Sequence, residues 1–485
     1  MILRKISKRI FTSIYSPPRD PKFSNLLNSD MSFFESILPP HQIVKDNLEG
    51  FNTDFIGVFI GKSSLVLKPN TVNQVQDIIT YCAKRKLAIC PQGGNTGLVG
   101  GSVPVHDEIV LSLSNMNKLV EINESEGTVL CEAGVILEQL NSQCEEKGYI
   151  FPIDLGAKGS CFVGGNASTC AAGNRLLRYG SLHANILGLE IVTGKGEILD
   201  NLSSFRKDNT GYDLKHIFIG SEGTLGVITK LLINLPPKPK SEQLVYLGVN
   251  SFENVLKILK KSKEILGEII SAFEFQDRFS VEASIQHIQG VHDPFDAPYP
   301  FYVLIETRGS NAEHDSAKMD LLLESIIGNE AENGILPQDK RQSNDLWKLR
   351  EVIMEAVAKP GYCFMYDISL KHENYYDIVE KVRNLIGEKA LTVGWGHVGD
   401  GNLHLSITVP DRHDVEDIHG KLENFLFSYL KECHGSISAE HGIGLQKRNK
   451  LSISRSPAEI QFMRRIKNAF DPEGIMNPYK LFPDN

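Results

Sequence analysis

The chain has no run of about 18 uninterrupted apolar residues, so no helix of it is expected to span a membrane. It has no basic excess either: 51 lysines and arginines against 60 acids leave a net charge of −9, and no global cationic field draws in DNA or RNA. Cysteine is thin, eight in 485 residues and never as Cys-x-x-Cys, which argues against a disulfide scaffold or a thiolate zinc knuckle and leaves reduced thiols. No internal repeat or low-complexity tract stands out. Apolar material is plentiful: 41% hydrophobic residues over this length supply at least one large core and two or three structural units.

Residues 1–19 carry Arg4, Lys5, Lys8, Arg9 and Arg19 without a single acid, while Leu3, Ile6, Ile10 and Ile14 recur at helical spacing. This reads as a mitochondrial presequence, cleaved before about residue 35, which would deliver the protein to the matrix. The alternative is a basic disordered arm. Beyond it, apolar segments at 109–111 and 186–192 alternate with helix-like stretches at 72–86 and 135–147, the pattern of an α/β body. The segment Leu235-Pro236-Pro237-Lys238-Pro239-Lys240 suits neither a helix nor a central strand and marks a boundary. After it, residues 251–270 and 314–327 predict helices, and 301–306 and 366–370 predict strands, an α+β unit. The expected division is 1–35, 36–240, 241–430 and 431–485.

Directly after a predicted strand at 87–90, Pro91-Gln92-Gly93-Gly94-Asn95-Thr96-Gly97-Leu98-Val99-Gly100-Gly101 packs five glycines into eleven positions. Such a loop reads either as a tight turn or as a cradle whose backbone N–H groups approach a phosphate. It matches neither the NTPase P-loop nor the Rossmann fingerprint. Two more small-residue segments follow, Gly159-Ser160 leading into Gly164-Gly165-Asn166-Ala167-Ser168, and Gly220-Ser221-Glu222-Gly223-Thr224-Leu225-Gly226-Val227. Three such loops in one domain suggest one long ligand with a diphosphate and a flat ring.

Taken in order with Arg178-Tyr179-Gly180 and Asn477-Pro478-Tyr479-Lys480, these motifs resemble the vanillyl-alcohol-oxidase type of FAD enzyme, in its branch that oxidises D-2-hydroxy acids. The resemblance runs from about residue 40 to the C-terminus. It implies an α+β fold: an FAD-binding domain of the p-cresol-methylhydroxylase type built from two α/β subdomains, an α+β substrate domain, and a C-terminal segment returning to the flavin domain. FAD contacts are implied from Pro91 to Leu98, at Gly159, Ser160, Gly164, Gly165, Asn166, Ser168, Glu222, Gly223, Gly226, Val227 and Asn477. Where some relatives have a histidine bonded to the flavin this loop has Asn95, which implies noncovalent FAD.

In Trp395-Gly396-His397-Val398-Gly399-Asp400-Gly401-Asn402-Leu403-His404, the Gly-Asp-Gly run predicts a turn between two strands. With a loop at 399–402, His397 faces His404 at about 4.5–5.5 Å between Cβ atoms, and the two imidazoles can share one ion. Glu440 and His441 stand in Ser438-Ala439-Glu440-His441-Gly442 and offer a carboxylate and a third imidazole. Two histidines and a glutamate with an open position suit a catalytic metal, most simply zinc; hydrogen-bonding histidines beside a turn are the alternative. The resemblance implies His397, His404 and Glu440 as metal ligands, His441 as general base and Arg350 as the arginine for a substrate carboxylate. It further implies an electron acceptor, electron-transferring flavoprotein or cytochrome c.

Three positions depart from the enzymes that oxidise D-2-hydroxyglutarate: Met354 stands where threonine is usual, Met365 where lysine is usual and Ser406 where asparagine is usual. Loss of a lysine ill suits a second substrate carboxylate. D-2-hydroxyglutarate is the first expectation, with D-lactate or another D-2-hydroxy acid as the alternative, and a flavin-binding paralogue with little turnover as a reading of another class.

Overall fold

The computed structural model describes residues 15–483. Residues 1–14, most of the basic stretch read as a presequence, lie outside the described residues. From Tyr15 onward the chain packs as part of the fold. Tyr15 lies 5.9 Å from the Phe59 ring, Arg19 pairs with Asp107, and Phe23 and Phe34 are buried.

The chain divides into two compact units. The first takes the described residues up to Ala172, then Ser181–Lys238, and the described residues from Glu440 onward. The second takes Gly173–Gly180 and Pro239–Ala439.

The first unit holds two sheets. Strands β1 (Ile43–Val44), β2 (Val66–Leu67), β3 (Ile89–Gln92) and β4 (Ile109–Ser112) form one, in the order β1-β2-β4-β3 and parallel across β2, β4 and β3. Strands β5 (Leu119–Asn123), β6 (Thr128–Glu132), β7 (Ile186–Thr193), β8 (Ile198–Asn201) and β9 (Gly226–Asn234) form an antiparallel sheet ordered β5-β6-β9-β7-β8. The predicted helix at 72–86 forms over Val72–Arg85 because Thr71 Oγ1 caps the Gln74 N–H and Val75, Ile78, Ile79 and Cys82 make one buried stripe. It ends at Lys86, whose φ of +56° is left-handed. Far along the chain, Ile475–Asn477 returns beside β3, where Ile89 donates to Ile475 O and Asn477 to Ile89 O, both near 2.8 Å.

The second unit is built on one antiparallel sheet of seven strands. These are β10 (Ser241–Val249), β11 (Ile270–Asp277), β12 (Phe301–Gly309), β13 (Asn333–Ile335), β14 (Tyr362–Ser369), β15 (Leu391–His397) and β16 (Asn402–Val409), in the order β13-β10-β12-β11-β15-β16-β14. The helix predicted at 251–270 stops at Ile265. Gly267 and the β-branched pair Ile269 and Ile270 then lead into β11, which is buried along its whole length. One face of the sheet packs Phe275 and Phe301 against Phe252, Tyr375 and Tyr376. The other face carries Tyr246, Tyr302, Val393 and Trp395 under the helices Lys340–Glu351 and Ile353–Ala358. Strand alternation decides which side chains meet this second set of helices.

Asp30 ties the first described helix, Asn28–Ile37, to the body: it accepts from the Leu27 N–H, the Tyr81 hydroxyl and Arg85 Nε. Burial pushes its carboxyl up, but these donors outweigh burial and hold it below the ordinary value. A folded value below the unfolded one, about 3.9, stabilises at neutral pH and loses that contribution as pH falls through the folded value. Asp30→Asn is therefore expected to lower stability by about 1–3 kcal/mol at pH 7. The difference from wild type in urea unfolding should shrink below about pH 4; an equal difference at both pH values would contradict this assignment.

Candidate active site

The loop after β3 is held from within. Asn95, at φ +54°, donates through Nδ2 to Gly50 O and Thr53 O and accepts the Ser102 hydroxyl at 2.7 Å. Gln92 reaches Phe51 O and Ser102 O. A Cβ on Gly94 would stand 2.1 Å from Ser160 O, so only glycine lets these two loops touch. Gly93 faces Gly165 in the helix Val163–Thr169, and the Glu222 N–H donates to Ser168 O at 2.7 Å. Asn477 Nδ2 joins Gly101 O to Glu222 O, and Lys480 Nζ reaches Gly101 O and Asn477 Oδ1. The carboxylate of Glu222 accepts the N–H groups of Ile443 and Gly444, each at 2.7 Å.

The sequence-distant small-residue loops and the C-terminal motif thus meet in the first unit. Thr96, Gly97 and Leu98 continue the β3 loop, Gly159 precedes Ser160, and Gly226 and Val227 open β9 after the Glu222-Gly223 turn. Two observations fit a bound flavin here. A Cβ on Gly165 would meet nothing within 4 Å, and the buried Asn166 Oδ1 has no hydrogen-bond partner.

In the second unit the hairpin differs from the expected register. His397 pairs with Asn402 and His404 with Trp395, so the loop is 398–401 rather than 399–402. Its geometry has a local cause: Asp400 Oδ1 accepts the Asn402 N–H, His397 O accepts from Asp400 and Gly401, and Gly401 supplies a φ of +85°. Residues 395 and 397 share a face by alternation, so the two histidines still point to the same side, with ring centroids 5.2 Å apart.

That face carries Met365 and Asp367 on β14, His404 and Ser406 on β16, Trp395 and His397 on β15, and Glu274 on β11, as the strand pairings dictate. Met365 stands directly opposite Ser406, whose Oγ lies 3.4 Å from Trp395 Nε1. Met354, on the helix Ile353–Ala358, packs against the cluster around Val393 and Trp395. Arg350, 5% exposed, lies over the Trp395 ring at 4.4 Å. Its Nε and Nη2 bind Glu274 Oε2 at 2.9 and 2.7 Å, and Glu274 Oε1 takes His397 Nδ1 at 2.7 Å. Burial pushes the Glu274 carboxyl up, yet His397 and Arg350 hold it below its ordinary value.

Asp367 accepts from Asn402 Nδ2, the Ser438 hydroxyl and the Ala439 N–H, and lies 3.8 Å from His404 Nδ1. Glu440 and His441 are the next two residues of the chain. Among the described residues, Asp367, His404, Glu440 and His441 offer one ligand atom each, all within 4.8 Å of one another. This group shares His404 and Glu440 with the expected metal set, adds Asp367 and His441, and does not include His397. Imidazole and carboxylate donors without thiolate suit zinc or another divalent ion.

Sequence reasoning does not single out Asp367 and Glu274 as functional. Each is an acid within a largely apolar strand, and the only signal it offers is its cost: an unpaired charge at such a position is too expensive to keep.

These features define a class, a flavin-binding oxidoreductase, and comparison with known proteins agrees. Residues 63–201 match the family described as "FAD binding domain", and residues 238–481 match "FAD linked oxidases, C-terminal domain". A mitochondrial D-2-hydroxyglutarate dehydrogenase of Danio rerio is 47% identical over 97% of this chain and 88% of its own length. That of Arabidopsis thaliana is 46% identical over 96% and 83%. A Schizosaccharomyces pombe relative, provisionally named a mitochondrial D-lactate dehydrogenase, is 46% identical over 99% and 95%. The chain belongs to the FAD-linked oxidases, in the family of the D-2-hydroxyglutarate dehydrogenases. Among solved structures, p-cresol methylhydroxylase superposes with a TM-score of 0.75 at 15% identity, over 94% of this chain and 97% of that one, which bears out the expected fold. No helix among the described residues is long and apolar enough to cross a membrane.

Gly165→Ala tests the flavin fit. The methyl group meets no protein atom outside its own helix, and alanine favours that helix, so the flavin-free protein should melt no lower than wild type, whereas overlap with a bound flavin should cost about 1–3 kcal/mol. Flavin affinity, read by fluorescence titration, should then fall about 5- to 150-fold; unchanged affinity would contradict flavin in that space.

Proposed function

We propose that this protein oxidises a D-2-hydroxy acid, D-2-hydroxyglutarate first, to the 2-oxo acid, with noncovalent FAD held by the small-residue loops of the first unit. The observation that carries this reading is the group of Asp367, His404, Glu440 and His441, together with Arg350, which its helix holds over the sheet face that carries Asp367 and His404. The names of the relatives support the substrate class.

When bound, FAD would supply a hydride acceptor and a divalent ion, zinc by the donor chemistry, would supply Lewis acidity. His397, His404 and Glu440 would hold the ion, and Asp367 would orient His404. His441 takes the hydroxyl proton on an imidazole nitrogen as the C2 carbonyl forms. Arg350 holds a substrate carboxylate with the guanidinium N–H groups that Glu274 does not engage. Electron-transferring flavoprotein, or cytochrome c on the lactate reading, would take the electrons onward. The names of the relatives support a mitochondrial location, and the basic N-terminus read as a presequence extends this to the matrix.

One observation favours a second reading. Met365 faces Ser406 where the lysine and asparagine of the diacid enzymes would stand, and Arg350 is already paired with Glu274. A shorter or more apolar substrate such as D-lactate needs no second cation.

Anaerobic bleaching of the flavin band distinguishes these readings. Fast bleaching by D-2-hydroxyglutarate, and slow bleaching by D-lactate, is the expected result; the reverse order supports the second reading, and bleaching by no D-2-hydroxy acid contradicts both. His441→Ala should keep its flavin while the bleaching rate falls about 10²- to 10⁴-fold; an unchanged rate removes this base from the reaction.

A further inference from the structure

Glu274 lies in the middle of β11, 1% exposed, and its two oxygens face different partners. Oε1 meets His397 Nδ1 at 2.7 Å, and Oε2 meets Arg350 Nε and Nη2 at 2.9 and 2.7 Å. An ionised carboxylate only accepts, so at such a distance the proton sits on His397 Nδ1. In a neutral imidazole that leaves the lone pair on Nε2, the atom able to bind a cation. Arg350 is always charged, and it rests on the Trp395 ring while the carboxylate grips its side.

We propose that Glu274 is a positioning residue that sets the tautomer and aim of His397 as an ion ligand and, through its second oxygen, holds Arg350 in place for the substrate carboxylate. The inference rests on the reading above that His397 is an ion ligand. It links the two ends of the substrate site through one buried side chain, so a change at the arginine is felt at the imidazole.

Glu274→Gln tests this because it keeps the shape and halves the acceptors. Arg350 competes for the single amide oxygen with a stronger, charge-assisted bond. The amide NH₂ then faces His397 Nδ1, which must accept, and the proton moves to Nε2. Zinc titration of the flavin-loaded, metal-free protein should show affinity about 10- to 100-fold weaker than wild type. Adding Arg350→Met removes the competitor, lets the amide oxygen return to His397, and should restore most of that affinity, a rescue that a merely structural role would not produce. Flavin absorbance reports that each variant has folded.

Undiminished zinc binding by Glu274→Gln overturns the inference, as does a double variant no tighter than the single. A wild type that binds no divalent ion is a different outcome: it removes the metal reading and this inference with it. Imidazole ¹⁵N spectra of the metal-free wild type, which need no variant, should show His397 as the Nδ1–H tautomer. The Nε2–H tautomer overturns the assignment.

Discussion

A charge taken into a sheet core must be matched on its own face, and the second unit follows from that constraint. Glu274, Asp367, His397, His404 and Arg350 are all less than a tenth exposed, where an unmatched charge would cost several kcal/mol. Alternation along β11, β15, β16 and β14 puts the first four on one face, and the helix Lys340–Glu351 brings Arg350 over it. The result is a chain of mutual satisfaction from Arg350 through Glu274 to His397, and a second cluster from Asn402 through Asp367 to Ala439. The contact that makes the burial of Glu274 tolerable also engages His397 Nδ1, so stability and site geometry share that bond.

The first unit solves a different problem. Its glycine-rich loops carry backbone polar groups with no regular ladder to satisfy them. Side chains supply some of the missing partners. Asn477 and Lys480, from the C-terminal segment, cap carbonyls of the first and third loops, while Glu222 accepts two N–H groups of residues 443 and 444. Some residues read from sequence as flavin contacts, Glu222, Asn477 and Asn95 among them, spend their side-chain groups on the loops themselves. Gly165 has open space where a side chain would be, and the buried Asn166 Oδ1 beside it has no hydrogen-bond partner.

Strongly periodic elements are legible in the sequence. The helix at Val72–Arg85 matches its prediction to within a residue because cap, apolar stripe and left-handed end agree. The helix predicted at 251–270 runs five residues past its end at Ile265, and the strand Ile270–Asp277 that follows is not predicted, since periodicity alone cannot assign a short apolar segment. The Gly-Asp-Gly run announces a hairpin but not its closing pair, which depends on Asx and glycine geometry inside the loop. His404, Glu440 and His441 stand out because imidazole and carboxylate cluster locally in sequence. Asp367 and Glu274 do not, because their partners are strand neighbours or lie more than seventy residues away.

Zinc-edge X-ray absorption of the flavin-loaded, zinc-reconstituted protein tests the central claim most directly, that this buried sheet face builds a metal centre. The account predicts a first shell of nitrogen and oxygen at about 2.0–2.2 Å, with no sulfur near 2.3 Å, and outer-shell scattering from two imidazoles. A shell without imidazole scattering, or a protein that retains no zinc, would contradict it.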